Sequence, residues 1–429
     1  MFWATLGGIL VVGASTGVAL GAALGLTGLV LLHFFSNGAT SLAVDAIWRV
    51  FNSFTLSAVP LFILLGEILL RSGISSRVYS AFSPVFRRIP GGLLHTNIAV
   101  CTLFGAVSGS SLSTAAAVGS VAYPEMIKRG YDRNVIVGSL AGGGTLGLLI
   151  PPSLSFLIYG ALTETSIGRL FVAGILPGLM VAAMFMTYIC VKAVRHPHVA
   201  PVDPTRKSLR DIVLGFGQIW PLLILVAAVI GSIIGGLATP TEAAGVGVVI
   251  AAIISMIWGE LTLSKLAGAV FHSALLFSAV GFVVLGAAIL GLSVSILGVP
   301  QQILSVVAES GLDRYSILLL VVLIYLILGC FLDGLSLMIM TLPVVFPLLT
   351  GLGYDAIWVG VLITIVIEIG QVTPPVGLNL SVLSSLTRNE VSLGHAARAT
   401  VPYWIIHLLA IFILTMFPII ALYLPNLLF

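Results

Sequence analysis

The chain has 429 residues, of which 59% are hydrophobic and only 8% are charged. A soluble domain carries about a quarter charged residues, so this composition leaves too few charges to cover a water-exposed surface. The formal net charge of +3 is too small to favour a nucleic-acid partner. Because each membrane-spanning helix needs about 20 apolar residues, the length allows roughly ten crossings. The composition therefore predicts an all-α polytopic membrane protein.

The first 75 residues are predicted to contain apolar spans and one amphipathic helix. Residues 3–35 are apolar and Gly-rich, and they fit either one long tilted span or two short ones. Residues 40–55 place Asp45 and Arg49 on the face opposite a row of apolar side chains. That pattern is typical of a helix lying along the membrane surface. A crossing over residues 56–70 follows.

Residues 92–127 are mostly apolar and too long for one ordinary span. Basic residues flank both ends: Arg87, Arg88, Lys128, Arg129 and Arg133. Basic flanks indicate the cytoplasmic side, so both ends are expected on the same face. The middle, residues 109–114, has the helix-breaking polar sequence GSSLST. We predict a re-entrant helical hairpin whose tip lies inside the membrane.

Residues 134–165 are predicted to cross once as a broken helix, interrupted at Pro151 and Pro152. Proline removes a backbone donor and clashes with the preceding turn of a helix. Further spans follow, at residues 168–191, 212–237, 243–258 and 266–297. The pattern then recurs, with a hairpin at 315–350, a broken helix at 356–387 and a last span at 400–424.

The two halves align without a gap at an offset of 223 residues. The sequence GYD at 130–132 falls on GYD at 353–355, and PP at 151–152 falls on PP at 374–375. Five predicted spans separate the hairpins, and an odd number places the second hairpin on the opposite face, unless residues 266–297 cross twice. The sequence therefore predicts an inverted-topology repeat, which is common among secondary transporters.

Each hairpin tip is expected to face the broken helix of its own half. Tip 109–114 would meet residues 145–153, and tip 333–336 would meet residues 368–377. Non-helical backbone at membrane depth is tolerated only inside protein or beside a watery cavity. Hydroxyls and unpaired carbonyls are hard oxygen ligands that suit a sodium ion. Freed helix N-termini would attract an anion between the tips.

Other roles are open for several of these residues. The hydroxyls of the first tip, and those of Ser336 and Thr373, also suit close helix packing. Asp333 is either functional or paired with a distant arginine. Glu368 is either functional or a protonated, hydrogen-bonded acid. The remaining expectations are that Asn97 and Asn379 satisfy backbone groups, that Glu242 caps a helix, and that the scattered histidines form no metal centre.

The chain resembles the large membrane subunit of tripartite ATP-independent periplasmic (TRAP) transporters in the motifs GSSLSTAAAVGSVAYPEMIKRGY, GTLGLLIPPS, DGLSLMIMTLPVVFP and EIGQVTPPVGLNL. The resemblance covers essentially the whole chain. It implies an elevator-type transporter of the wider ion transporter superfamily. In that picture the hairpins and broken helices form a mobile transport domain, and the amphipathic arm helices join a fixed scaffold.

The resemblance also implies a division of the chain into alternating scaffold and transport segments. Residues 1–75 would form scaffold spans with an interfacial arm helix, and residues 76–200 the first transport repeat. Residues 201–300 would form further scaffold spans with an arm helix. Residues 301–389 would form the second transport repeat, and residues 390–429 a C-terminal arm and scaffold span.

Two sodium sites, one in each repeat, are implied by the resemblance. The first would be formed by Ser110, Ser111, Ser113, Gly147 and the carbonyl of Ile150. The second would be formed by Gly334, Ser336, Gly370 and Thr373. The residues expected near the substrate are Asp333, Pro152 and Thr114. No cofactor beyond the coupling sodium ions is expected.

The implied function is sodium-driven uptake of an organic acid anion across a bacterial inner membrane. The implied partners are a small four-helix membrane subunit, expected as a separate polypeptide, and a periplasmic substrate-binding protein, together with membrane lipid. The main alternative is a stand-alone sodium–carboxylate symporter. An intramembrane enzyme is disfavoured because no Ser–His pair lies on matching turns. No Walker sequence for ATP binding is present, which agrees with a sodium gradient as the energy source. The organic acid is open, with C4-dicarboxylates and sialic acid among the possibilities.

Overall fold

The computed structural model describes residues 5–429 except 6, 10, 11, 14, 15, 87, 202–216, 218, 376, 388 and 389. Every regular element in this described part is helical, which confirms the all-α prediction. Six helical segments there are long and apolar enough to cross a membrane, and shorter apolar helices accompany them. The choice between one and two spans in residues 3–35 falls partly outside the described residues.

The helices of the first half are α1 (Leu20–Phe35), α2 (Leu42–Phe51), α3 (Ala58–Arg71), α4 (Ile74–Phe86), α5 (Leu93–Ser108), α6 (Ser111–Lys128), α7 (Arg133–Leu149), α8 (Leu154–Thr163) and α9 (Ile167–Arg195). Those of the second half are α10 (Trp220–Ile234), α11 (Pro240–Ile257), α12 (Leu263–Ile296), α13 (Val299–Ser310), α14 (Arg314–Gly329), α15 (Gly334–Gly351), α16 (Ala356–Gln371), α17 (Leu378–Leu386), α18 (Leu393–Met416) and α19 (Ile419–Leu428). Short 3-10 turns lie at Thr55–Ser57 and Pro197–Val199.

Helices α1, α3, α11 and α12 pack together as one group. The short helix α2 meets the segment Thr55–Arg71 at a bend of 53°, and its Asp45 and Arg49 are exposed. Helix α12 is one continuous helix of 34 residues, so residues 266–297 do not double back. Helix α11 begins with Thr239 and Glu242 in a reciprocal capping box, which confirms the predicted cap.

Helices α5 and α6 form a hairpin, here called the first hairpin. At its open end the Asn97 amide donates to the Met126 sulfur at 3.3 Å. At its tip the hydroxyls of Ser108 and Thr114 lie 2.7 Å apart. Contacts at both ends mean that the two helices run back along each other. Gly109 makes the turn with a φ of 59°, a conformation that favours glycine.

Helices α14 and α15 pack together as the second hairpin, and the Tyr325 and Thr341 hydroxyls are hydrogen-bonded between them. Repeat-related tyrosines close the open end of each hairpin. The Tyr131 hydroxyl accepts from the Leu93 N–H at 3.2 Å, and the Tyr354 hydroxyl donates to the Arg314 carbonyl at 3.1 Å. The matching positions of the two GYD sequences therefore correspond to a shared structural role within this chain.

Two broken helices complete the repeats. Helix α7 ends before residues 150–153, here the first break, and α8 continues beyond it. Helix α16 ends before residues 372–377, the second break, and α17 continues beyond it. Each break contains a cis peptide bond between paired prolines. Helix α7 packs on the first hairpin and α16 on the second, and the two broken helices also touch each other.

Glycines let each hairpin approach its broken helix closely. A Cβ atom on Gly105 of α5 would lie 2.7 Å from the Cα atom of Gly147 on α7. A Cβ atom on Gly370 of α16 would lie 2.6 Å from the Cα atom of Gly329 on α14. Small residues at such crossings allow backbones to pack together within a membrane. These contacts bring both hairpin tips against the breaks.

Candidate functional site

The first tip and the first break lie directly against each other. The Leu154 N–H donates to the Gly109 carbonyl at 3.4 Å. A Cβ atom added to Gly109 would lie 3.3 Å from the Pro152 carbonyl oxygen. Both Pro152 and Ile150 are buried. The backbone of Ile150 is extended after α7 ends, so its carbonyl is not bound within the helix.

Gly147 lies beside two oxygen atoms of the first tip. A Cβ atom on it would approach the Thr114 hydroxyl oxygen to 2.7 Å and the Ser110 carbonyl oxygen to 2.8 Å. The Thr114 hydroxyl also donates to the Ser110 carbonyl at 2.8 Å. The structure therefore brings Ser110, Thr114 and Gly147 together. Ser113 is half-buried, and its N–H donates to the Ser110 hydroxyl at 3.4 Å.

The Ser111 side chain points to the other repeat. Its hydroxyl accepts a hydrogen bond from the Asn379 amide of α17 at 2.7 Å. The expectation that Asn97 and Asn379 satisfy backbone groups was wrong, because both donate to side chains. Asn97 donates to the Ser139 hydroxyl at 2.8 Å. Glu368 of α16 is fully buried, and neither of its carboxyl oxygens has a hydrogen-bond partner among the described residues.

Asp333 caps the start of α15. Its Oδ1 atom accepts from the Leu335 N–H at 3.1 Å and from the Ser336 N–H at 3.2 Å. In the first repeat, Ser110 occupies the same position and caps α6. The alternative in which Asp333 pairs with a distant arginine is not supported, because no such ion pair forms among the described residues. Capping was the role that sequence reasoning missed, although an Asp immediately before a helical run is a known N-terminal signal.

The remaining residues of the second site lie where the start of α15 packs against the end of α16. A Cβ atom on Gly334 would lie 2.7 Å from the Gln371 side-chain nitrogen, and the buried Gln371 oxygen has no hydrogen-bond partner. The Thr373 hydroxyl donates to the Ile369 carbonyl at 2.6 Å. Gly370 is buried, whereas Ser336 and Thr373 are half-buried.

The two sites differ in how open they are. The prolines of the first break are buried, whereas Pro374 and Pro375 of the second break are exposed. Asp333 is itself half-buried. The second site is therefore the more accessible of the two in this structure. This difference was not visible in the sequence, where the two proline pairs look equivalent.

One buried charge was overlooked in the sequence. Glu67 of α3 is buried and binds the Arg71 side chain at 3.1 Å and the His272 ring nitrogen at 3.1 Å. His272 belongs to α12, so the cluster joins two helices that do not carry the hairpins. The spacing of a glutamate four residues before an arginine inside an apolar span was the available signal.

The family model described as "Tripartite ATP-independent periplasmic transporter, DctM component" matches residues 7–420. This chain belongs to the TRAP transporter large permease family. The C4-dicarboxylate TRAP transporter large permease protein of Pseudomonas aeruginosa is 36% identical over 406 residues, which are 94% of this chain and 93% of the relative. The ectoine/5-hydroxyectoine large permease of Ruegeria pomeroyi is 33% identical and covers 87% of each chain.

The membership confirms that this TRAP permease is a multi-pass protein of the bacterial inner membrane and a transporter subunit, not an enzyme. A tripartite family implies a small membrane subunit and a periplasmic binding protein as partners. The YdaH transporter of Alcanivorax borkumensis has a similar fold, with a TM-score of 0.60 at 13% identity over 88% of this chain and 87% of its own. That likeness concerns the fold alone.

Proposed function

We propose that this TRAP permease carries out sodium-coupled uptake of an organic acid anion that a periplasmic binding protein delivers. The observation that carries the proposal is the meeting of the first tip with Gly147. There the Ser110 carbonyl and the Thr114 hydroxyl face a backbone that has no side chain. Oxygen ligands around a small space suit a hard monovalent cation.

The first sodium ion is assigned to Ser110, Ser111, Ser113, Gly147 and the Ile150 carbonyl. The free carbonyl after α7 and the tip oxygens are supporting observations. The Ser111 hydroxyl is already held by Asn379. Sodium would therefore use the backbone of Ser111, or the hydroxyl would change partner when the ion binds.

The second sodium ion is assigned to Gly334, Ser336, Gly370 and Thr373. The unpartnered oxygen of Gln371 beside Gly334 supports a polar ligand in this region. The open second break supports entry of the ion from the surrounding solution. Two sites of matching construction follow from the internal repeat.

The substrate is placed between the tips, near Asp333, Pro152 and Thr114. Helices α6 and α15 begin at the two tips, and their positive N-terminal ends attract a carboxylate. The Asp333 carboxylate would repel the carboxylate of the substrate. A sodium ion between the two carboxylates would reduce this repulsion and stabilise the bound substrate. An organic acid is the substrate class because the Pseudomonas relative is named for C4-dicarboxylates.

Transport would proceed by an elevator movement. The hairpins and broken helices would move as a unit past α1, α3, α11 and α12. Sodium binding would close both tips around the substrate before the movement. Low sodium in the cytoplasm would then allow the tips to open.

Uptake into proteoliposomes tests the proposal directly. The permease, its small subunit and a panel of loaded binding proteins would be assayed with an imposed sodium gradient. Uptake that requires both sodium and a binding protein is expected. Equal uptake in potassium would contradict sodium coupling, and uptake of free acid without a binding protein would favour the stand-alone symporter.

A further inference from the structure

A lateral cleft lies along α12 beside the bend between α2 and α3, and α8 and α15 form its other walls. It consists of two adjoining cavities with volumes of about 540 Å³ and about 600 Å³. The two cavities share Val50, Ser53 and Leu56 in their walls. They therefore form one continuous space along α12, which none of the sodium or substrate residues lines.

One end of the lateral cleft is apolar. Its wall includes Phe277, Phe282 and Leu285 of α12 and Ile158 of α8. The ring of Phe282 is exposed to the surroundings of the protein. In a membrane protein those surroundings are lipid chains, and apolar walls of this kind pack against them.

The other end is charged. It is lined by Asp45 and Arg49 of α2 and by Glu164 after α8. All three are exposed, and within the described part of the chain none forms an ion pair or a side-chain hydrogen bond. Unpaired charges are costly inside hydrocarbon. This end therefore belongs at the level of the lipid headgroups.

The cleft has the length of a lipid molecule. Residues 277–295 of α12 run along it, and at 1.5 Å per residue they extend about 27 Å. The hydrocarbon core of a bilayer is about 30 Å thick, so the acyl chains of one leaflet span about half of that and leave length for a headgroup. The space thus accommodates a headgroup at one end and an acyl chain of one leaflet below it.

We propose that the lateral cleft is a binding site for a phospholipid with a primary ammonium headgroup, such as phosphatidylethanolamine. The phosphate lies at Arg49, and the ammonium group lies between Asp45 and Glu164. One acyl chain fills the apolar end beside Phe277. A headgroup without an ammonium, as in phosphatidylglycerol, meets two unneutralised carboxylates and is disfavoured.

Gly281 offers a direct way to fill the site. It lines the apolar end, and a Cβ atom on it would meet no atom within 4 Å. Gly281→Phe therefore places a ring in the cleft from a backbone position whose Cβ atom meets no neighbouring atom. Gly245 of α11 is a matched control, because it is also half-buried in a helix, lies outside both cavities and has open space at its Cβ position.

The test uses the full chain with its small subunit in nanodiscs that contain a trace of photoactivatable phosphatidylethanolamine or phosphatidylglycerol. Cross-linked peptides are mapped by mass spectrometry. Phosphatidylethanolamine is expected to label residues 277–285 roughly three- to tenfold more than phosphatidylglycerol. The reason is that its ammonium group gains a contact with the carboxylates and avoids the repulsion between them and an anionic lipid. Gly281→Phe should abolish this labelling, and Gly245→Phe should preserve it.

Arg49→Gln supplies a second variant that leaves the apolar end intact. It should reduce labelling by both lipids at residues 277–285. Equal labelling by the two lipids, or labelling that persists in Gly281→Phe, would overturn the proposal. The proposal would also be overturned if the small subunit were found to cover the cleft, because the occupant would then be protein and not lipid.

Discussion

Asn379 donates a hydrogen bond to the Ser111 hydroxyl at 2.7 Å, although 268 residues separate them. Both side chains are buried, and they belong to different repeats. The bond joins the first hairpin tip to the helix that follows the second break. The elements that support the two candidate sodium sites are therefore in direct contact at this bond.

Replacement of Asn379 by leucine should uncouple the two sites. The Ser111 hydroxyl would lose a buried partner, which costs about 1–3 kcal/mol of unfolding free energy. Uptake should depend on sodium less cooperatively, and this would be measured as a lower Hill coefficient. Asn379→Asp removes the donating amide but keeps an oxygen that can accept from the Ser111 hydroxyl, and it serves as the comparison. An unchanged Hill coefficient in Asn379→Leu would show that the contact only stabilises the fold.

Gly147→Ala should weaken the first sodium site. The new Cβ atom would lie 2.7 Å from the Thr114 oxygen and 2.8 Å from the Ser110 oxygen. Both oxygens must move away, so the sodium concentration for half-maximal uptake should rise. Gly245→Ala is the control, because its Cβ position is open. A sodium titration that matches the native protein would remove Gly147 from the site.

Asp333 can be tested by separating its charge from its capping role. Asp333→Ala should lower the unfolding free energy by about 1 kcal/mol through the lost cap. Asp333→Asn keeps the cap and should be nearly as stable as the native protein. If the carboxylate acts near the substrate, both variants should change the KM for the organic acid. A KM altered only in Asp333→Ala would indicate a purely structural role.

The tyrosines at the open ends of the hairpins should differ in importance. Tyr131→Phe leaves the buried Leu93 N–H without its partner and should cost about 1–3 kcal/mol of unfolding free energy. Tyr354→Phe removes an exposed bond to the Arg314 carbonyl and should cost less. Thermal unfolding in detergent measures both. A larger loss in Tyr354→Phe would contradict this ranking.

The re-entrant, inverted arrangement stays a prediction that labelling can test. Single cysteines would replace the exposed Ile89, Lys128 and Leu312 in a chain without its native cysteines. An impermeant thiol reagent should reach the first two from the cytoplasm and Leu312→Cys from the periplasm. Labelling of positions 89 and 128 from opposite faces would exclude a re-entrant first hairpin.

Much of the fold was predictable because its signals are local. The polar run at the first tip and the proline pair at 151–152 break helices wherever they occur. Because the halves align at an offset of 223 residues, the hairpin and broken helix of the first half predict those of the second half. The tip-to-break contact at Gly147 followed from the rule that irregular backbone inside a membrane must meet protein or water.

Other features depended on partners that are distant in sequence. The sequence alone determined the helical membrane fold, the doubled hairpin and break, and the oxygen-rich residues at their centre, because chain-local hydrophobicity and helix breaking set these. Only the tertiary structure decided that Ser111 faces Asn379, that Asp333 caps a helix and that the second break is open. These outcomes depend on which side chains come together when separate helices pack, and that information is not contained in any single stretch of residues.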